Sequence, residues 1–525
     1  MASSSKLLQR LSPWLAMGVF GALSGLAYPR FDFWPTIFLS VAGILWLLRG
    51  RTLRTAAGLG FIAGQGFYLS QIYWISQYLG PVPLIALSTL EALIFAIGAV
   101  GITLSWRLSN AFSAGLAAWL TAPMLATMWV AREWVSINWP YGGFPWSRLA
   151  MSQSESPLAS WAYIGGLPLL SWVVALVSAQ LVFILLRYQA TRTAGIKPYR
   201  DAPLWARVAS IAAVFAIGFA IQPQTEAETG TLKIAAVQGN ANAGLFANPV
   251  PGSILEKHLR ASRLLAVEDQ SDKPDLVVWP ENSSDINPAG SPATAIELNN
   301  FVTNKLQTPL ILGTITERNG RFYNESQLWL PDRGPVDYYA KKRPVPFAEY
   351  VPDRDFWYSL APDLIGLISH GYDFGTRDGI YSVAKAKVGV NICFEIAVDE
   401  LNRDLVSGGA QVIISQTNNS DFGYSDETFQ QAAIARLRAI ETGRVVVNDS
   451  TVGVTAAFAP DGSVLAELEP FKPGAMTVEV PLRSTHTPAF WIGPGFVLAV
   501  NLFAVGQLLV ALALSLKSRR GGAQL

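Results

Sequence analysis

The sequence predicts two fold classes in one chain: an α-helical membrane domain with about eight spans, and an α/β domain inserted before the last span. Three observations support this prediction. Apolar residues make up 51% of the 525 residues and charged residues only 15%, against ~25% in a typical soluble protein. Long apolar segments fill the first part of the chain and return near its C-terminus. Between them, short apolar runs typical of strands alternate with helical patterns.

The hydropathy pattern divides the chain into a transmembrane domain of seven spans (residues 1–222), an α/β domain (231–482) and a C-terminal span (488–516). The second span is short for a bilayer. The N-terminus leads into the first apolar run without a clear small-residue cleavage site, so we interpret it as a retained span. The predicted spans cover approximately residues 12–29, 34–48, 56–79, 82–106, 112–131, 158–186, 204–221 and 490–515.

Basic residues are concentrated in alternate loops between these spans. The loops of the other set contain only Arg30, Arg132 and Arg148. By the positive-inside rule, both termini are cytoplasmic and residues 231–482 lie on the extracytoplasmic face. The basic residues behind this prediction are Lys6, Arg10, Arg49, Arg51, Arg54, Arg107, Arg187, Arg192, Lys197, Arg200, Arg207, Lys517, Arg519 and Arg520.

The α/β domain is predicted from runs such as L-K-I-A-A-V-Q, L-V-V-W-P, L-I-L-G-T-I-T and V-I-I-S-Q-T-N-N, each typical of a buried strand. Helical patterns separate the strands, which is the arrangement of α/β folds. These helices are predicted near residues 253–268, 293–306, 397–407 and 426–443.

Composition excludes several kinds of partner and cofactor. The formal net charge is +1 and no basic block occurs, so no nucleic-acid partner is expected. The single cysteine excludes an internal disulfide. The three histidines, His258, His370 and His486, have no ligand spacing, so no metal site is expected. No nucleotide-binding motif occurs, and we expect no cofactor.

Three apolar runs of the α/β domain end in ionisable groups: Cys393, Glu281, and Lys341 with Glu349. A thiol is mostly protonated near neutrality, because its free pKa is about 8.5. A carboxylate can take the thiol proton, and an ammonium can stabilise the anion formed on attack. Cys393 alone could equally be a small buried hydrophobic residue. The runs are L-V-V-W-P-E (276–281), D-Y-Y-A-K-K-R-P-V-P-F-A-E-Y (337–350) and V-G-V-N-I-C-F-E-I (388–396).

In this order, W-P-E, K-x-x-x-x-P-F-x-E and N-x-C-x-E resemble the motifs of the nitrilase (carbon–nitrogen hydrolase) superfamily. The resemblance implies a four-layer α-β-β-α sandwich. It also implies that Cys393 is the nucleophile, Glu281 the general base, and Lys341 with the backbone N–H of Phe394 the oxyanion site. Glu349 and Glu395 match further acidic positions, which would orient Lys341 or shape the pocket. For Glu395, a purely structural role is an alternative.

The whole chain also resembles the apolipoprotein N-acyltransferase family. Such an enzyme would move an acyl chain from a phospholipid donor, through a thioester on Cys393, to the N-terminal amine of a diacylglyceryl apolipoprotein acceptor. The resemblance implies a monomer in the bilayer of the bacterial cytoplasmic (inner) membrane. Its further stretches are R-E-W…G-F-P-W-S (132–147), V-Q-G-N (237–240), T-N-N-S-D-F-G (417–423) and A-R-L-R-A-I-E-T-G-R (435–444).

Three features depart from the pattern of that family. The Trp that often follows V-Q-G-N, near Phe246 or Ala247, has no equivalent that we can place here. Phe394 stands where many members have Tyr, and Asn448 stands where Arg is frequent. A phenol and a guanidinium are absent at these positions. The departures bear on substrate preference, whereas the residues of the thioester chemistry are all present.

Two apolar segments are candidate substrate contacts. Residues 353–370, the lid segment, form a predicted loop rich in aromatic and aliphatic residues, including Trp357 and Leu364. It is either a lid that enters the outer leaflet and guides an acyl chain, or a small satellite core. Trp146 lies in a Trp-rich loop that is either an interfacial aromatic belt or a platform for lipid.

Two alternative functions are consistent with parts of the pattern. A membrane-tethered amidase of the nitrilase type would use the same residues and pass the acyl group to water. A transporter or receptor would use the outer domain only to bind a ligand, and it would not need the Glu–Lys–Cys set.

Overall fold

The computed structural model describes residues 2–244, 247, 249–265, 273–368 and 370–520. Within these ranges the chain forms two compact units. The first unit comprises the described residues up to 76, residues 80–222 and the described residues from 488 onward. The second unit comprises residues 77–79 and 223–487.

The first unit is built from helices joined by short connections. Most of them are apolar over much of their length. Helix α7 contains a break at Gly165 and Gly166, where the backbone leaves the helical region. The helices, including α4 at the boundary of the unit, are α1 (Ala2–Leu23), α2 (Thr36–Leu48), α3 (Leu53–Ile72), α4 (Ile75–Leu79), α5 (Pro81–Ser109), α6 (Ala114–Asn138), α7 (Trp161–Thr193), α8 (Ala202–Ala220) and the C-terminal α15 (Pro488–Arg520).

Five helices in the described part of the chain, α5 to α8 and α15, are long and apolar enough to cross a membrane. Shorter apolar helices occur at Leu11–Ala27 and Thr36–Leu48. Each of the predicted spans coincides with a helix of this unit, so the predicted class of an α-helical membrane domain is confirmed. The number of spans stays a prediction.

Small residues and one buried carboxylate hold the helices of this unit together. A Cβ added to Gly64 on α3 would lie 2.7 Å from the Cα of Ala92 on α5, so the two backbones are in near contact. Glu91 on α5 accepts a hydrogen bond of 2.5 Å from the hydroxyl of Ser136 on α6. The carboxylate therefore links two helices from a buried position.

The second unit contains two six-stranded sheets. The first has the strand order β12-β1-β2-β3-β4-β5 and the second β11-β10-β9-β8-β7-β6. The strands are β1 (Thr231–Gln238), β2 (Leu276–Val278), β3 (Leu310–Arg318), β4 (Arg321–Leu330), β5 (Gly334–Ala340), β6 (Ile380–Val383), β7 (Ala386–Ile392), β8 (Val412–Thr417), β9 (Val445–Ser450), β10 (Ala456–Phe458), β11 (Val464–Glu467) and β12 (Gly474–Pro481).

The inner faces of the two sheets pack against each other through aliphatic side chains such as Ile234, Val278, Val390 and Val447. Helices cover both outer faces, which confirms the expected α-β-β-α sandwich. Trp279 and Leu298 belong to the core between the first sheet and its helices. The helices of this unit are α9 (Ser253–Ser262), α10 (Pro292–Asn300), α11 (Arg354–Leu360), α12 (Pro362–Ile365), α13 (Asp399–Ser407) and α14 (Glu427–Thr442).

Strand direction determines where the functional groups can meet. In the first sheet, β1, β2 and β3 are parallel, and β4 and β5 each reverse the direction of the strand before. The ends of β2 and β5 therefore lie at the same edge of the sheet. Glu281 follows β2 and Lys341 follows β5 directly. In the second sheet, β7 and β8 are parallel, and Cys393 follows β7.

Candidate active site

Cys393 is displayed in a sharp turn at the end of β7. The chain passes from the strand into a single 3₁₀ turn, Cys393–Ala397, and Cys393 has a φ of +53°. A non-glycine residue rarely adopts this left-handed conformation, and it persists where the surrounding structure enforces it. The turn leaves the residue only partly buried. The sulfur is therefore presented at the strand end, where a substrate can reach it.

Glu281 is fixed by the close approach of the neighbouring strand. A Cβ added to Gly313 on β3 would lie 2.6 Å from the carbonyl oxygen of Pro280 and 2.7 Å from the Cα of Glu281. Glycine is therefore required at residue 313, because any side chain there would displace the turn that carries Glu281. The sequence pattern contained no signal for this contact.

Lys341 lies between two carboxylates. Its Nζ is 3.2 Å from Oε1 of Glu281 and 3.0 Å from Oε1 of Glu349. The amide of Asn324 bonds to the same two oxygens, donating to Glu281 at 2.7 Å and to Glu349 at 2.8 Å. All four side chains are buried. A buried charge cluster of this kind persists when its charged groups are hydrogen-bonded, and both carboxylates and the ammonium are bonded here, whereas Oδ1 of Asn324 is buried without a partner.

The charges of this cluster act on the thiol. Burial raises the pKa of Glu281, and the Lys341 ammonium opposes that effect. Burial lowers the pKa of Lys341, but the carboxylates of Glu281 and Glu349 outweigh it and raise that pKa well above its usual value. Burial and the charge of Glu281 raise the pKa of the Cys393 thiol, while Lys341 lowers it. The resting sulfur is therefore protonated, and the structure brings all three groups within electrostatic range.

The two further acidic residues differ in what they contact. Glu349 bonds to Lys341 through Oε1 and accepts from the backbone N–H of Val345 at 2.7 Å through Oε2. These contacts fit the first of its two expected roles, orienting the ammonium of Lys341, and that role stays a prediction. No group of three or more His, Cys, Asp or Glu side chains in the described ranges is arranged to hold a metal ion.

Glu395 ties the thiol-bearing turn to the segment that carries Lys341. Its carboxylate accepts from the backbone N–H of Ile392 at 2.9 Å, of Lys342 at 2.7 Å and of Arg343 at 3.0 Å. The hydroxyl of Tyr339 donates to it as well, at 2.9 Å. Because these bonds connect the end of β7 with the end of β5, the contacts of Glu395 fit the structural role.

Of the three departures from the family pattern, Phe394 and Asn448 lie in different places, and Phe246, near the third, lies outside the described residues. Phe394 is the second residue of the 3₁₀ turn and is partly buried, so its backbone N–H is adjacent to the thiol residue. Its function as an oxyanion donor stays a prediction. Asn448 lies on β9, and its Nδ2 donates to the carbonyl oxygen of Val454 at 2.7 Å. The Asn448 amide thus stabilises a turn of the second sheet.

The lid segment is not the loop that the sequence predicts. It forms the short helices α11 and α12, and Pro362 stands in the first turn of α12. Ile365 at the end of α12 and Ile368 after it are buried, whereas α11 contains no buried residue. Phe356 and Leu360 remain 58% and 64% exposed. The segment thus combines a small core with an exposed apolar surface.

The predicted lid residues lie beside the Lys341–Glu349 motif. Trp357 packs edge-on against Phe347, with ring centroids 5.3 Å apart, and is partly buried. Leu364 on α12 is also partly buried. Trp146 belongs to the first unit, where it is buried against Trp74 at 5.8 Å. The contribution of these three residues to substrate binding stays a prediction.

Sequence reasoning missed two polar residues of the site. Asn324 joins the two carboxylates described above. Gln431 on α14 has its Nε2 3.7 Å from the Cys393 sulfur. Neither residue lies in a motif from which its contact could be predicted, because each contact joins segments that are far apart in the chain. The stretch around residues 417–444 marked the region without indicating which side chain faces the thiol.

Known proteins match both units of the chain. The profile described as apolipoprotein N-acyltransferase N-terminal domain matches residues 20–180, and the carbon–nitrogen hydrolase profile matches residues 233–487. Proteins named apolipoprotein N-acyltransferase from Mycolicibacterium smegmatis and Vibrio cholerae are 31% and 28% identical in sequence to this chain. The first alignment covers 96% of this chain and 86% of the relative, and the second 93% and 95%.

Solved structures also align with part of the chain. An amidase from Nesterenkonia sp. aligns with 50% of this chain and 95% of its own, at 16% identity and a TM-score of 0.37. The curated relatives, in contrast, align along nearly the whole length, including the apolar helices. The chain belongs to the apolipoprotein N-acyltransferase family.

Proposed function

We propose that the protein transfers a fatty acyl chain from a phospholipid to the N-terminal amine of a diacylglyceryl-cysteine in a bacterial lipoprotein. Family membership supports this proposal. The observation that carries it is the thiol of Cys393, displayed at the end of β7 within the field of the buried Glu281–Lys341 pair, whose atoms are 3.2 Å apart. This set supplies a nucleophile, a proton carrier and a cation, which covalent acyl transfer requires.

In the first half-reaction, Glu281 takes the thiol proton as the sulfur attacks the ester carbonyl of the phospholipid. The ammonium of Lys341 and the backbone N–H of Phe394 stabilise the negative charge that forms on the carbonyl oxygen. The ester C–O bond then breaks, and Glu281 returns the proton to the leaving lysophospholipid oxygen. The product is a thioester on Cys393. The raised pKa of Glu281 suits this role, because a carboxyl that both takes and returns a proton works best near neutrality.

In the second half-reaction, the free α-amine of the lipoprotein attacks the thioester. Glu281 accepts the amine proton, the C–S bond breaks, and the sulfur regains a proton from Glu281. The result is an amide on the lipoprotein and a free thiol, which gives ping-pong order. The thioester retains the reactivity of the donor ester, so no nucleotide or other cofactor enters the scheme.

The proposed location follows from the first unit and from the loop charges. The apolar helices confine the protein to a membrane, where both lipidic substrates reside. The distribution of Lys and Arg favours the cytoplasmic (inner) membrane with residues 231–482 on the extracytoplasmic face. An exported lipoprotein would meet the thiol on that face. We propose that the protein acts as a monomer, because one chain supplies all the residues of the scheme.

The amidase alternative is not favoured. An amidase of this type would use the same Glu, Lys and Cys residues as the acyltransferase, but its second nucleophile would be water and it would not need a membrane unit. The relatives that align over nearly the full length are named N-acyltransferases. The experiment below also separates the two functions, since only the acyltransferase requires an amine acceptor.

The test is intact-mass spectrometry of the purified protein after incubation with phosphatidylethanolamine alone. We expect a mass increase of one acyl chain on Cys393, and its transfer to a diacylglyceryl-cysteine peptide added afterwards. Cys393→Ala should show neither step, and Glu281→Gln should slow adduct formation about a hundredfold or more. An adduct that persists in Cys393→Ala, or one that water discharges as fast as the peptide does, would contradict the proposal.

A further inference from the structure

A buried amide, Asn419, organises one wall of the thiol site. Asn419 follows β8 and is 1% exposed. Its Nδ2 donates to Oε2 of Glu427 and to Oε1 of Gln431, both at 2.7 Å. Glu427 and Gln431 are four residues apart on α14, so they lie on one face of the helix. The asparagine therefore bonds to two side chains of α14 at once.

The other side of the same amide is equally occupied. Oδ1 of Asn419 accepts hydrogen bonds from the hydroxyls of Ser450 at 2.5 Å, Thr417 at 3.2 Å and Thr428 at 3.3 Å. The hydroxyl oxygens of Ser450 and Thr428 accept from the backbone N–H groups of Gly453 and Val454, so their protons are available to Oδ1 of Asn419. This arrangement favours the orientation in which Nδ2 faces Gln431.

The orientation of Asn419 determines that of Gln431. Oε1 of Gln431 is bound to Asn419, so the opposite end of its amide, Nε2, faces the Cys393 sulfur at 3.7 Å. An N–H directed at sulfur stabilises the thiolate more than the thiol, since the anion is the better acceptor. With the reverse orientation, a carbonyl oxygen would face the anion and repel it.

We propose that Gln431 is a further catalytic residue, whose N–H stabilises the Cys393 sulfur as an anion, and that Asn419 and Glu427 are positioning residues that hold it in this orientation. The sulfur is anionic twice in the scheme, when it attacks the ester and when it leaves the thioester. The inference rests on the proposed function only in that it takes Cys393 as the nucleophile.

The charge state of Glu427 matters for the same sulfur. Burial raises the pKa of Glu427 to about 8; the bond from Asn419 opposes this, and the charges of Glu281 and Asp421 reinforce it. The charged groups that act on Cys393 are Glu281, Lys341, Glu427 and Glu349. Near neutrality Glu427 is mostly uncharged and can hold Asn419 without repelling a thiolate. Above pH 8 it becomes a carboxylate and disfavours thiolate formation.

The test uses the fact that Cys393 is the only cysteine of the chain. Alkylation of the full-length protein by iodoacetamide, followed by intact mass from pH 6 to 10, reports the thiolate fraction of this residue alone. For Gln431→Leu we expect an alkylation rate about tenfold lower at neutral pH and a profile displaced about one unit upward. Gln431→His, which restores an N–H donor, should recover most of the rate.

Glu427→Gln separates charge from positioning. The Gln side chain can still accept from Asn419, but it carries no charge at any pH. We expect an alkylation rate within about twofold of wild type at pH 7 and a higher rate above pH 8. The matched control is Gln327→Leu, another buried glutamine, whose Oε1 accepts from Trp329 at 3.2 Å on β4. Its alkylation profile should equal that of wild type.

Two results would overturn the inference. One is a wild-type profile in Gln431→Leu with an unchanged thermal transition. The other, which also decides the matter if Gln431→Leu does not fold, is a wild-type profile in Gln431→Glu, a variant of equal size that replaces the N–H group facing the sulfur by an oxygen. The alkylation rate reports the ionisation of the Cys393 thiol and does not depend on acyl transfer. Loss of the acyl-enzyme with the expected alkylation shifts present would therefore refute the proposed function and leave this inference standing.

Discussion

At the residue scale, the site depends on a single neutral side chain between charges. Asn324 donates to Glu281 at 2.7 Å and to Glu349 at 2.8 Å, and its own backbone carbonyl accepts from the N–H of Lys341 at 2.8 Å. The residue thus contacts both acids and the lysine segment. Without it, Glu281 would depend on the ammonium that it shares with Glu349, whereas Glu349 would keep its second bond, from the backbone N–H of Val345.

We predict that Asn324→Leu slows thioester formation about thirtyfold. The reason is that each hydrogen bond to a buried charged group contributes about 2 kcal/mol, and the variant removes the donor from the proposed base, Glu281. The measurement is the rate of acyl adduct formation on Cys393 by intact mass, with phosphatidylethanolamine as donor.

Asn300→Leu, an exposed asparagine of α10, is the matched control and should retain the wild-type rate. A folded Asn324→Leu protein with a rate within about twofold of wild type would show that the amide has no part in the chemistry.

At the element scale, the lid segment combines two properties. Ile365 and Ile368 anchor its helices, while Phe356, Leu360 and Leu367 remain exposed. Exposed aromatic and aliphatic residues this close together are unusual for a surface that faces only water. The contact between Trp357 and Phe347 also places the segment beside the loop that carries Glu349.

We expect the double variant Trp357→Ser with Leu364→Ser to lose at least tenfold in kcat/KM for phospholipid donors and less than about threefold for a short water-soluble thioester. A fatty chain would lose apolar surface to pack against, at about 25 cal/mol per Å², whereas a short acyl group would lose little. The two rates are measured by acyl-enzyme formation with each donor.

The control substitution is Val464→Ser on β11, an exposed apolar residue outside the lid segment, which should leave both rates unchanged. Equal losses for the two donors in the double variant would mean that the segment only stabilises the fold, as the satellite-core alternative states.

At the scale of the whole molecule, the proposed chemistry requires the sandwich to lie on the extracytoplasmic side. Accessible cysteines can test this in the Cys393→Ser background, which has no other thiol. Ser463 belongs to the second unit, and Thr52 lies in the basic connection between α2 and α3; both are exposed.

In intact spheroplasts, a membrane-impermeant maleimide should label Ser463→Cys fully and Thr52→Cys only after permeabilisation. The physical reason is the excess of Lys and Arg in the loop of Thr52, which keeps that loop in the cytoplasm. Labelling of Thr52→Cys from outside, or protection of Ser463→Cys, would contradict the proposed topology. The Cys393 thiol would then lie on the opposite side of the membrane from the lipoprotein acceptor.

The sequence by itself determined the fold class and predicted the principal candidate site residues. Hydropathy over about 20 residues identifies a bilayer-spanning helix, and strand runs identify the sandwich, because both patterns are local. Glu281, Lys341 and Cys393 could be named because each lies in a short motif at a strand end. The predicted loop at residues 353–370 was wrong, since the segment contains two short helices, and α11 has no buried face that an apolar pattern could reveal.

Only the tertiary structure decided how these groups are held. The left-handed turn at Cys393, the bonds of Glu395 across two strand ends and the contact between Gln431 and the sulfur all join residues distant in sequence or depend on backbone geometry. A hydrogen bond requires atoms within about 3 Å and the correct orientation, which a linear pattern does not encode. Chain topology supplies that geometry, and so the positioning residues become identifiable only after folding.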